Sequence, residues 1–215
     1  IGNPNLYCID VDDAVWSYTN WTVANGNIDS TSSFAITCSA EAGYTYVPDD
    51  NFEQVLIDLG YDDFLDDYVI TLNINAVTFL DVSNDSIADL TGIEDFDSLQ
   101  ILNCGNTNLP SLDVSANTAL IELNCAYNNL DTLDVSANTA LTNLICHSNW
   151  LTSLDVSANT ALIELNCRNN SLTSLDVSQN TALTALWCYD NQLDSLDVST
   201  NTALTTLSCG GNNLD

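Results

Sequence analysis

A nine-residue phrase, LDVSxNTAL, recurs in this chain with a regular spacing of 21 residues. Its copies begin at Leu112, Leu133, Leu154, Leu175 and Leu196. Cysteines follow the same period, at Cys104, Cys125, Cys146, Cys167, Cys188 and Cys209. A fixed period of this length indicates a solenoid, because one such unit cannot bury its apolar face without its neighbours. The repeat therefore predicts a stack of similar turns.

Within one turn, the apolar residues define a short strand. In the turn that begins at Leu120, Leu123 and Cys125 alternate with polar residues, which predicts an inward-facing pair on a strand. Strands of successive turns are expected to pair in parallel. An asparagine recurs three residues after each cysteine from Cys125 onward, and we expect its side chain to turn inward and bond to the backbone of adjacent loops. The first such position is Thr107 instead.

This pattern resembles the leucine-rich repeat, LxxLxLxxNxL, with cysteine in place of one apolar residue. The resemblance implies an α/β leucine-rich-repeat solenoid with a parallel β-sheet on the concave face, short turns on the convex face and a helical N-terminal cap. The preceding 22-residue turn, from Val77 to Ser98, contains IADLTGIEDF, which is similar to the repeat of the internalins, a family of bacterial surface adhesins. The cysteine-bearing turns also resemble repeat adhesins of gliding bacteria that use type IX secretion.

Residues 46–76 are predicted to form the helical N-terminal cap of the repeats at 77–215. The segment VPDDNFEQVLIDLG predicts a helix that begins with a capping box of Asp50 and Glu53 and ends at Gly60. Its apolar face is predicted to carry Phe52, Val55, Leu56 and Leu59. A second short amphipathic piece is predicted to place four residues on one side: Tyr61, Phe64, Leu65 and Tyr68.

Residues 1–45 are predicted to be the last half-repeat and C-terminal cap of a preceding array. Ile9 and Val11 match Leu133 and Val135 of the repeat, so we expect the chain to be a slice of a longer protein with several capped arrays. Cys8 and Cys38 are off the 21-residue period. They are predicted to form a disulfide in an oxidising compartment, which places the protein outside the cell or on the bacterial surface.

The charge excludes two classes of partner. The chain contains 30 acidic residues against one Lys or Arg, for a formal net charge of −29. Such a chain is repelled by nucleic acid and by anionic lipid. No apolar run is long enough to cross a bilayer, so membrane insertion is not expected. The 46% of hydrophobic residues nevertheless predicts a folded core.

No residue pattern predicts catalysis or a zinc site. The six periodic cysteines lack zinc-type spacing and are predicted to be structural core residues. His147 is the only histidine, so a His-based triad cannot form. We expect no cofactor, although calcium binding is possible at the acidic segment DDFLDD. Calcium binding is also an alternative for a column of aspartates, which are predicted first of all to form turns: Asp113, Asp134, Asp155, Asp176 and Asp197.

Outward-facing strand positions differ from turn to turn, which is where recognition is expected. The candidate ligand-binding residues on the concave face are Tyr127, His147, Arg168, Trp187, Tyr189 and Asp190. Aromatic and arginine side chains are frequent anchors of interfaces. The alternatives are chance variation of the surface and a contact with a neighbouring copy of the same assembly.

Two functions are compatible with these observations. The first is a non-catalytic module of a large secreted or cell-surface bacterial protein, acting in adhesion, protein recognition or a surface appendage. Its partners would be a protein or glycan on a host, prey or neighbouring cell, or copies of itself. The second is a glycan-binding appendage of a secreted polysaccharide-degrading enzyme, in which Tyr127, Trp187 and Tyr189 stack on sugar rings.

Overall fold

A computed structural model describes the backbone of residues 8–10 and 33–35, and residues 43–214 in full. The chain divides into two compact units, Ile1–Tyr44 and Thr45–Asp215. In the first unit, strand β1 (Cys8–Asp10) pairs in parallel with β2 (Ser33–Ala35). Cys38 and the side chain of Cys8 lie outside the described residues, so the predicted disulfide and the predicted cap at 1–45 stay predictions.

The second unit is built on a parallel sheet of seven strands in sequence order. They are β5 (Phe79–Asp81), β6 (Ile101–Asn103), β7 (Glu122–Asn124), β8 (Asn143–Ile145), β9 (Glu164–Asn166), β10 (Ala185–Trp187) and β11 (Thr206–Ser208). The central leucines lie opposite one another, as Leu123 does with Leu144. One strand per turn in this register confirms the predicted leucine-rich-repeat solenoid.

The core is a column of leucines and cysteines. Five of the periodic cysteines, Cys104 to Cys188, are buried, and Cys209 is half-buried. All six are free thiols. They pack in one cluster with the strand leucines, as small hydrophobic residues do. We call these six residues the cysteine ladder.

Two columns of asparagine side chains connect successive turns, one on each side of the core. Asn149 donates from Nδ2 to the carbonyl oxygens of Cys125 (3.0 Å) and Cys146 (3.1 Å), and its Oδ1 accepts from Leu130 N (3.1 Å). The equivalent residues Asn128, Asn170, Asn191 and Asn212 bond in the same manner. This confirms the predicted inward asparagine, which satisfies backbone groups that are buried between turns.

A second asparagine column lies in the NTAL segments. Asn138 Nδ2 donates to the carbonyl oxygens of Val114 and Asn117, each at 2.9 Å. Asn117, Asn159, Asn180 and Asn201 repeat this pattern. Each turn is therefore bonded to its predecessor by two amide side chains.

Helix α1 (Asp50–Asp58) precedes the repeats, and its N-cap is Asp49. Asp49 Oδ1 accepts from Asn51 N (3.0 Å) and Phe52 N (3.1 Å), while Oδ2 accepts from Ala88 N (2.8 Å). The predicted capping box of Asp50 and Glu53 is therefore wrong. The cap lies one residue earlier, so Glu53 is one position too far along the helix to complete a box.

The apolar face of α1 is narrower than predicted, because Phe52 and Leu56 are buried but Leu59 is exposed. The amphipathic piece predicted after it is also wrong. Residues 61–67 contain no helix, and Phe64 is 63% exposed. Two more of the residues predicted to share one side there, Leu65 and Tyr68, are exposed as well. The full predicted set is Tyr61, Phe64, Leu65 and Tyr68.

Three further elements complete the region before the repeats. Strand β3 (Tyr44–Tyr46) pairs with β4 (Tyr68–Ile70), and α2 (Thr71–Ile74) is a single turn of helix. The description of 46–76 as a helical cap stays a prediction, because only thirteen of its residues are helical. No helix within the described residues is long and apolar enough to span a membrane.

Candidate recognition surface

The outer face of the sheet is formed by the residues that alternate with the core positions. In β10, Leu186 is buried and Trp187 is half-buried on the opposite side. The residue after each ladder cysteine continues this outer face. We call these residues the strand-end row: Gly105, Ala126, His147, Arg168, Tyr189 and Gly210. The row changes identity at each turn, whereas the cysteines beside it do not.

Tyr127 and His147 form the first contact on this surface. Their ring centroids are 4.9 Å apart and the rings stand at 86° to each other, an edge-to-face arrangement. Tyr127 is 57% exposed, whereas His147 is only 7% exposed. The backbone joins them too, since Tyr127 N donates to His147 O (3.0 Å). Tyr127 therefore covers a histidine that sequence reasoning placed at the surface.

Burial sets the protonation of His147. Removal of the imidazole from water lowers its pKa, and the charge of Arg168 lowers that pKa further. His147 Nδ1 lies 3.1 Å from Ser148 Oγ. A neutral imidazole at pH 7 follows, so the positive charge on this part of the surface belongs to Arg168.

Arg168 and Tyr189 form the second contact, on the next two turns. Arg168 Nη1 donates to the Tyr189 hydroxyl, and its Cζ lies 5.4 Å from the centroid of the Tyr189 ring. Among the described residues, Arg168 Nε and Asn166 Oδ1 have no hydrogen-bond partner although both atoms are buried. Both atoms lie at the same strand end, out of contact with solvent.

The other two predicted residues lie at the edge of this group. Trp187 lies opposite Asn166 in the strand register, so it borders Arg168 and Tyr189. Asp190 is exposed and has a left-handed backbone (φ 52°), with its side chain against Gly211. The structure therefore places the predicted residues on successive turns, in two contacts and two flanking positions. Their role as ligand contacts stays a prediction.

Sequence reasoning missed Trp150, which is 63% exposed. It lies five residues beyond the end of β8, away from the strand-end row. A comparison of the repeats distinguishes this position. The other cysteine-bearing turns carry Asn108, Asn129, Ser171, Gln192 and Asn213 at the same position. A large apolar side chain at one copy of a polar position is unusual on a surface.

The aspartate column forms turns, as predicted. Asp134 Oδ1 accepts from Ser136 N (2.9 Å), and the bonds from Ser136 lower the pKa of that carboxyl. The same bond occurs at Asp113, Asp155, Asp176 and Asp197. Each carboxylate is used by its own turn, which is a structural role.

Burial lowers the reactivity of the five buried ladder cysteines, Cys104 to Cys188. Burial raises the pKa of Cys125 to about 12 and that of Cys188 to about 11. A thiolate is the reactive form, and it is scarce at neutral pH when the pKa is so high. At neutral pH these buried cysteines are therefore protonated thiols within the core of the sheet.

Known proteins share both the sequence and the fold. Internalin J of Listeria monocytogenes serotype 4b (strain F2365) is 40% identical over 123 residues, which are 55% of this chain and 13% of that protein. A solved functional domain of internalin J, which includes a cysteine ladder, is 33% identical. It matches with a TM-score of 0.54 over 82% of this chain and 50% of its own.

A more distant structure agrees on the fold. Internalin C2 of Listeria monocytogenes matches with a TM-score of 0.59 at 18% identity, over 83% of this chain and 92% of its own. No protein-family profile matches the chain. The chain spans a small part of the curated relative and half of the solved internalin J domain. The similarity in cysteine ladder and leucine-rich repeats thus concerns the repeat domain and not the whole of those relatives.

Proposed function

We propose, from the premise that this chain is an internalin-like leucine-rich repeat solenoid, that it is a non-catalytic recognition module of a larger secreted or cell-surface bacterial protein. Its ligand would be another protein, bound on the outer face of the sheet around the strand-end row. The partner would be a surface protein of another cell or a copy of the same protein. The extracellular placement rests on the similarity to internalins.

One observation carries this proposal. The inward positions of successive turns are nearly constant, whereas the strand-end row changes between neighbouring turns and, with the residues beside it, collects aromatic and charged side chains on four neighbouring turns. Tyr127 with His147 and Arg168 with Tyr189 are preformed contacts there. Side chains that are already held lose little conformational entropy on binding, so such a surface favours recognition.

The charges of the surface define the chemistry of the partner. Glu122 and Asp190 are exposed near the strand-end row, and the chain as a whole carries a net charge of −29. A neutral or basic protein surface is therefore favoured, and its association should slow as salt is added. Arg168 is the exception, as the one basic Lys or Arg side chain of the chain, and its guanidinium is held by the Tyr189 hydroxyl.

A sugar-binding role is less well supported. Stacking on a sugar ring requires a free aromatic face, but Trp187 is half-buried and the hydroxyl of Tyr189 is already bonded to Arg168. Among the predicted aromatic residues, Tyr127 alone exposes more than half of its surface. A protein partner uses partly buried rings and hydrogen-bonding groups together, which this surface provides.

The test uses the whole chain as a fluorescent probe on two arrays, one of extracellular protein domains and one of purified polysaccharides. Hits are titrated again with Tyr127→Ala/Tyr189→Ala and with Trp187→Ala. We expect hits on the protein array, with at least tenfold weaker binding for both variants. Circular dichroism confirms that each variant is folded.

Trp150→Ala is the matched control, because it removes an exposed aromatic side chain from outside the strand-end row. It should bind as the parent chain does. Binding that is lost in Trp150→Ala but kept in the other variants would place recognition elsewhere. Hits confined to polysaccharides would favour the glycan-binding alternative.

A further inference from the structure

Three carboxylates converge at the start of α1, outside the recognition surface. One oxygen each from Asp50, Glu53 and Asp67 lies within 4.8 Å of the other two. Asp50 and Glu53 come from the first turns of the helix, and Asp67 has a left-handed backbone (φ 67°) just before β4. The group therefore joins the first turn of α1 to the end of the irregular stretch at 60–67.

Glu53 is the buried member of this group. Its side chain has no exposed surface, and its Oε1 accepts from Asp66 N (2.9 Å) and Tyr68 N (3.1 Å). Its Oε2 is buried and has no hydrogen-bond partner among the described residues. Two backbone bonds thus fix the carboxylate in place, while one of its oxygens stays without the partner that a buried charge requires.

The surroundings of Glu53 add negative charge. Burial and the nearby carboxylates of Glu53, Asp66 and Asp63 raise the pKa of Asp62 to about 6. Burial also raises the pKa of Glu53, and the charge of Asp66 adds to it. The single arginine of the chain, Arg168, is bonded to Tyr189 on the sheet. No side-chain cation of the chain is therefore left to balance this group.

We propose that Asp50, Glu53 and Asp67 together bind a calcium ion. Calcium takes about six to eight oxygen ligands at about 2.3–2.6 Å in a flexible geometry. Magnesium demands near-ideal octahedral geometry at about 2.0–2.1 Å and gives up its waters reluctantly. Three carboxylates from two separate segments, with oxygens within 4.8 Å of one another, therefore suit calcium better. Water molecules would complete the coordination.

The bound ion would have a structural consequence. It would tie the first turn of α1 to the residue before β4 and stabilise the stretch at 60–67, whose Phe64 and Leu65 are exposed. Stability of this region would therefore depend on calcium, because a ligand that binds only the folded chain raises its apparent stability. The recognition surface lies on other turns, so this site is independent of the proposed function.

The experiment titrates the whole chain with CaCl2 by calorimetry at constant ionic strength. It is repeated with terbium, whose luminescence is sensitised by nearby tyrosines such as Tyr68. We expect one saturable site and a higher melting temperature with calcium than with equal magnesium. Asp50→Asn and Asp67→Asn should each weaken calcium binding at least tenfold. Both replace exposed or turn residues with isosteric ones and are expected to fold.

Asp85→Asn is the control, because Asp85 is an exposed acid of the same unit that lies outside the group. It should keep the site. Diffuse binding by a very acidic surface is the competing explanation. Equal weak heats with calcium and magnesium, or a calcium isotherm that is the same in Asp50→Asn, Asp67→Asn and Asp85→Asn, would overturn the proposal.

Discussion

Tyr127 covers His147 edge to face, with 4.9 Å between the ring centroids, and this histidine, the one in the chain, is only 7% exposed. The two residues belong to neighbouring turns, and Tyr127 itself has a left-handed backbone (φ 55°). This conformation is uncommon for a bulky residue. The repeat imposes it, because Asn106, Ser148, Asn169 and Asp190 adopt it at the same position.

The buried histidine predicts a loss of stability on mild acidification. The lowered pKa means that the folded chain holds its His147 proton less tightly than the unfolded chain, whose value is about 6.5. The free energy of unfolding should therefore fall as the pH drops from about 6.5 to the lowered folded pKa. The slope for one proton is at most about 1.4 kcal/mol per pH unit. Urea unfolding of the parent and His147→Gln at pH 7.5, 6.5 and 5.5 isolates this contribution, and identical pH profiles would contradict it.

The cysteine ladder predicts a graded reaction with a thiol-alkylating reagent. Cys209 is half-buried, whereas Cys146 and Cys167 are buried and burial raises the pKa of each. Within the ladder, we expect Cys209 to be labelled first in the native chain and the others only as fast as the chain unfolds. Mass spectrometry of peptides after timed labelling measures each rate. Rapid labelling of Cys146 in buffer, at the rate seen in guanidinium, would show that the ladder is accessible.

Truncation of one inward asparagine is expected to lower the free energy of unfolding strongly. Asn149→Ala removes four hydrogen bonds and leaves the buried groups Cys125 O and Leu130 N without that partner. Each unsatisfied buried group costs about 1–3 kcal/mol, so we expect a loss of at least about 2 kcal/mol by urea unfolding. Asn213→Ala is the matched control because its side chain is exposed, and it should lose less than about 0.5 kcal/mol.

The backbone around Gly92, where the repeats begin, leaves no room for a side chain. Its φ is +104°, and a Cβ there would lie 2.8 Å from Tyr46 O and 2.9 Å from Val47 Cγ2. Gly92→Ala adds this overlap to the cost of a left-handed backbone, so we expect a loss of about 3 kcal/mol or more. Gly60 (φ +80°) has open space around its Cβ position. Gly60→Ala should cost about 1–2 kcal/mol, and thermal unfolding of both variants measures the difference.

The region around α1 shows where prediction from the sequence stopped. The helix was predictable from the period of Phe52 and Leu56, but its cap was not. Asp49 and Asp50 are both acceptable N-cap residues, and in the structure Asp49 also accepts a hydrogen bond from Ala88 N. That bond joins residues 39 positions apart, and no local sequence pattern contains it.

The recognition surface was predictable in position and not in detail. Alternation along the strand placed Tyr127, Arg168 and Tyr189 on the outer face, because side chains of a strand point to opposite sides in turn. The burial of His147 required the neighbouring turn, which supplies the covering ring. Trp150 was not predicted because strand alternation says nothing about positions beyond the strand, where this residue lies.

The sequence by itself determined the period, the core and the parallel stack. A 21-residue repeat with apolar residues at constant positions has one way to bury them, which is to place each turn on the last. Tertiary structure alone decided which polar groups meet: Asp49 with Ala88, Glu53 with Asp50 and Asp67, and Arg168 with Tyr189. Burial depends on composition and period, whereas a polar contact depends on distances of a few ångströms between segments that are far apart in the chain.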